Sequence, residues 1–161
     1  MMAGYREAVE IGSEVLHNSL SFIAESVDTV KNAPSGNARP VVVFNPCSWA
    51  RTDCCIVRMT FDDGPVGGLA LVDPQNRPVP FEIEEVERGD DGRINGVKLV
   101  FVAKDVPSLG YKTYFVEESG ALPERTVADG GSIENDYFTI RADPKKGGGI
   151  VSIVEKATGK E

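Results

Sequence analysis

At 161 residues the chain has room for one ordinary domain, or for a small domain and part of another. An apolar content of 41% with 26% charged residues is that of a globular protein. The net charge of -8 argues against nucleic acid or an anionic membrane as partner, because both select Lys- and Arg-rich surfaces. No run of about 20 apolar residues is present, so no helix spanning a bilayer is expected. The opening MMAGYREAVEIGSEV has no basic stretch leading into an apolar one, so no signal peptide is expected. Three cysteines, Cys47, Cys54 and Cys55, cannot close a disulfide framework. A reduced, cytoplasmic setting is therefore expected.

Residues 1–31 are expected to form one long amphipathic helix. Tyr5, Val9, Gly12, Leu16, Leu20, Ile23, Val27 and Val30 recur at spacings of three and four, while Glu7, Glu10, Glu14, Asn18 and Glu25 take the other face. Such a stripe needs a partner, since helix stability comes chiefly from packing it. Residues 32–39 (NAPSGNAR) read as a linker. From Pro40 the period shortens. Strands are expected at 41–44, 53–61, 69–72, 79–86, 96–103 and 112–117, separated by Asn45-Pro46, by the turns at 62–65 and 90–92, by Asp73-Pro74, and by the turn at 107–110. Short strands about ten residues apart, with no helical pattern between them, predict an antiparallel β-sandwich of about seven strands over residues 40–117. Adjacent Cys54 and Cys55 then fall on opposite faces of one strand. A second linker is expected at 118–132, and a hairpin at 133–161 with strands near 133–142 and 149–156.

Residues able to carry chemistry are sparse and scattered. A zinc site needs three or four Cys, His, Asp or Glu ligands at compatible spacing, and the chain has one histidine, His17, and no Cys-x-x-Cys pair. Asp62-Asp63, Glu84-Glu85 and Asp90-Asp91 are paired acids by type. The two Asp pairs lie in turn sequences, where Asp accepts local backbone hydrogen bonds, whereas a catalytic acid needs burial to raise its pKa. Ser48, Ser108, Ser132 and Ser152 have no Gly-x-Ser-x-Gly setting. Gly147-Gly148-Gly149 leads into a strand, not into the helix a phosphate loop requires. Trp49, Tyr111 and Tyr114 are candidates for stacking on a sugar ring. The competing reading has Trp49 plug the sandwich or seal the helix–sandwich junction and makes the tyrosines core-edge residues with satisfied hydroxyls, and this structural reading is the expectation.

Three phrases stand in a fixed order: residues 39–56 (RPVVVFNPCSWARTDCCI), 106–117 (VPSLGYKTYFVE) and 133–161 (IENDYFTIRADPKKGGGIVSIVEKATGKE). Through Asn45, Pro46, Ser48, Trp49, Arg51, Leu109, Gly110, Tyr111, Tyr114, Asn135, Tyr137, Gly148 and Gly149 they resemble the region downstream of the catalytic barrel in glycoside hydrolase family 38, the zinc-dependent retaining α-mannosidases. The resemblance implies a mainly β fold: a helix from the end of a helical region, a small antiparallel sandwich, then the start of a large second sandwich. It also implies that nucleophile and zinc belong to the barrel. No catalytic or metal-binding residue is therefore assigned to this chain, and the parent enzyme is implied to bind zinc. The chain is expected to be an inactive, supporting segment whose partners are the remaining domains of that parent, with a homo-oligomer as a further option. A carbohydrate-binding module and an interaction domain dimerising through the helix are the alternative readings.

Overall fold

The computed structural model describes residues 2–31, 33–122 and 131–161, and the side chains from residue 4 onward. The chain forms two compact units, Met1–Pro123 and Glu124–Glu161. Residues 123–130 of the expected second linker, Asn32 of the first, and Met1 lie outside the described residues.

In the first unit, helix α1 spans Met2–Glu25, shorter than the expected 1–31. Turn-like bonds from Ser26 N–H to Ile23 and from Val27 N–H to Ala24 close it. Beyond them the Asp28 carboxylate accepts the N–H groups of Val30 and Lys31, both at 3.2 Å. An Asp side chain that captures local backbone donors competes with helix propagation, and here it wins. No described side chain of α1 is buried, so Tyr5, Val9, Leu16 and Ile23 stand open to solvent.

Six strands follow: β1 (Arg39–Asn45), β2 (Arg51–Thr60), β3 (Gly68–Val72), β4 (Phe81–Arg88), β5 (Ile94–Val106) and β6 (Gly110–Ser119). They pair as two antiparallel three-stranded sheets, ordered β1-β6-β3 and β2-β5-β4. Six strands, not seven, make the sandwich. Alternation along each strand decides what faces inward. Val41, Val43, Leu69, Leu71, Tyr114 and Val116 from one sheet meet Cys55, Val57, Phe81, Leu99, Phe101 and Ala103 from the other. Cys54 points outward and is exposed while Cys55 packs on the core. Burial, then the negative charge of Asp53, pushes the Cys55 thiol pKa up, which keeps it protonated at neutral pH and unsuited to nucleophilic work.

The loop between β3 and β4 is held by a buried carboxylate. Asp73 Oδ1 accepts the backbone N–H groups of Gln75 (2.9 Å) and Arg77 (3.0 Å), and Oδ2 accepts Arg77 Nε–H at 2.7 Å. Burial alone pushes this carboxyl up. The Arg77 side chain, the two backbone donors and the Arg77 charge outweigh it and hold the pKa below the ordinary 3.8. A carboxyl that titrates lower when folded lends its stability in full above the unfolded pKa, and loses it as pH falls through the lower folded value. Urea melts should therefore show an acid loss beginning below about pH 4. Asp73→Asn should flatten that limb while lowering stability at neutral pH; an unchanged limb would count against the assignment.

The second unit holds β7 (Ser132–Glu134), β8 (Phe138–Asp143) and β9 (Gly149–Glu155), an antiparallel sheet in that order. Residues 133–142, expected as one strand, are broken by a tight turn. Asn135 Oδ1 accepts the N–H groups of Tyr137 (2.9 Å) and Phe138 (2.7 Å), and Asn135 N–H returns to the Phe138 carbonyl. The expected hairpin is thus a three-stranded meander. Gly147, with φ of 68°, ends the 3-10 turn at Pro144–Lys146 that links β8 to β9.

Candidate functional site

The region richest in unusual features is one end of the first sheet, where the β1–β2 and β5–β6 turns meet. Asn45 closes β1 and is only 3% exposed. Its Nδ2 donates to the carbonyls of Trp49 (2.7 Å), Val106 (3.1 Å) and Pro107 (3.0 Å), so one of its two hydrogens is shared. Its Oδ1 accepts the Cys47 N–H at 3.0 Å. Leu109 N–H donates to the Cys47 carbonyl at 2.8 Å, and Leu109 sits at φ +44°, a left-handed backbone that a leucine rarely adopts. One buried amide therefore ties two surface turns together, and the tie holds a strained residue between them.

What these turns display is apolar. Trp49 is 63% exposed, Tyr111 is 45% exposed and Leu109 is open. The expected burial of Trp49 as a plug of the sandwich is overturned. Its carbonyl is the group Asn45 fixes, and the indole is left outside. Tyr111 lies opposite Phe44 in register, their rings tilted at 57° with centroids 6.0 Å apart. Tyr114 is elsewhere. It is 1% exposed, its hydroxyl accepts the Lys104 N–H at 3.1 Å, and its ring meets Phe101 edge-on at 4.8 Å. Burial pushes the Tyr114 phenol pKa up, with the Lys104 N–H pulling the other way. The candidate trio is thereby split: Trp49 and Tyr111 share an accessible end, while Tyr114 is packed inside with its hydroxyl bonded.

The paired acids do not form a catalytic couple. Glu84 and Glu85 both bind Lys98, at 2.5 and 3.3 Å, on the outer side of the second sheet. The Asp63 carboxylate is open to solvent beside Arg39 at 3.8 Å, and Asp91 accepts the Arg93 N–H within its turn at 3.0 Å. Arg51 pairs with Asp53 at the start of β2. Among the described residues no group of three or more His, Cys, Asp or Glu stands close enough to hold a metal ion. Among the described residues the donor set therefore does not fit a zinc centre. Two features escaped the sequence: the reach of Asn45 across 61 residues to Val106, and the Asp73–Arg77 clasp. Asp73-Pro74 is legible as a turn, but the long-range partners of an Asn carry no local signal.

No family model matches the chain. It is 25% identical over 150 residues to the lysosomal alpha-mannosidase of Dictyostelium discoideum, an alignment covering 78% of this chain and 14% of that protein. The expected resemblance to glycoside hydrolase family 38 holds. The crystal structure of an alpha-mannosidase from Enterococcus faecalis V583 superposes with a TM-score of 0.60 at 16% identity, covering 99% of this chain and 21% of that one. A glycosyl hydrolase family 38 protein from Enterococcus faecalis gives 0.66 at 18% identity, over 99% of this chain and 22% of that one. At these identities the structures speak for the fold alone. The chain spans less than a quarter of the length of each of these three proteins.

Proposed function

We propose that this chain is a non-catalytic β segment of an α-mannosidase-like glycoside hydrolase, serving to support the catalytic barrel. The observation that carries the reading is coverage: 99% of this chain aligns with only 21–22% of the matched structures. The scattered, turn-bound acids are in keeping with it, since glycosidase chemistry needs two carboxyls flanking one bond. In the parent the reaction is retaining hydrolysis of α-mannosidic bonds, with zinc held outside this chain and the other domains as its partners. Three free cysteines favour a reduced, cytoplasmic setting, and among the described residues no helix is long and apolar enough to cross a membrane. The purified chain should leave an aryl α-mannoside unhydrolysed above the buffer blank. Turnover that tracks the protein through purification would overturn the reading.

A second reading is favoured by the exposure of Trp49 at 63%: a sugar-binding surface built on Trp49 and Tyr111. Pyranose C–H faces pack on open aromatic rings. Trp49 is the sole tryptophan, so its emission should be red-shifted and freely quenched by acrylamide. If the surface binds sugar, mannose oligosaccharides shift that emission to the blue with saturation. No change at millimolar ligand disposes of this second reading and leaves the first in place.

A further inference from the structure

We draw no further inference here: the strongest candidate, the polar hollow between the loops at 36–39 and 63–66, carries nothing, because its arginines Arg39 and Arg93 already face the carboxylates of Asp63 and Glu118 and, among the described residues, no buried polar group in it is left unpaired to call for a ligand.

Discussion

Asn45→Ala is expected to destabilise the sandwich by about 2–4 kcal/mol. The substitution removes the shared donor of the Trp49, Val106 and Pro107 carbonyls and the acceptor of the Cys47 N–H in one step. Water can recover part of that loss at the exposed turn, but Asn45 itself lies in a buried position. Strained Leu109 depends on the same tie, because its N–H bonds Cys47 within the turn that Asn45 organises. Asn45→Asp supplies a sharper form of the test. It keeps the Cys47 acceptor but sets a carboxylate against three carbonyl oxygens, so it should be at least as damaging at pH 7 and partly recover when protonated in acid. Urea melts at pH 7 and pH 4 would read both. A loss below about 1 kcal/mol for Asn45→Ala would mean that the turns hold themselves.

Phe101→Ala should cost about 3–5 kcal/mol, the range for emptying a large aromatic site in a packed core. Phe101 stands between Cys55 and Phe81 in register and is 2% exposed, so no neighbour can move into its place without a strand shifting. It also forms the edge-on contact with Tyr114 that joins the two sheets. Tyr114→Phe keeps that contact and loses only the Lys104 hydrogen bond, and should cost about 1 kcal/mol. The contrast between the two variants in one denaturation series tests whether packing or the buried hydroxyl holds the sheets together. Equal losses would refute the packing account.

The buried carboxylate of Asp73 and the buried amide of Asn45 do similar work on opposite flanks of β6 in the first sheet. Each replaces lost hydration with three or more directed hydrogen bonds. The difference is charge. Asp73 makes the fold pH-sensitive, whereas Asn45 leaves it indifferent to pH. Both positions sit where a strand ends, which is where backbone groups otherwise go unpaired.

Much of the architecture was legible in the residues themselves. Alternation from Asp53 to Phe61 and from Phe81 to Val86, broken by Asp-Gly and Asp-Pro, locates strands because a two-residue period is a local property of the chain. The ordered phrases around Asn45-Pro46, Leu109-Gly110 and Asn135 likewise carried the resemblance that the comparisons uphold. The helix end at Glu25 and the turn at Asn135 were missed, though each cause is local: an Asp or Asn side chain capturing nearby N–H groups. Such capture competes with a strong apolar period, and the period alone does not say which prevails. Tertiary structure alone decided the site. Trp49 and Tyr114 are both aromatic residues in β-rich surroundings, yet one is outside and the other inside. That outcome depends on which carbonyls Asn45 reaches and which sheet faces Phe101, contacts made across tens of residues. Local pattern determines what a segment can become; long-range hydrogen bonds and packing determine which of its side chains meet the solvent.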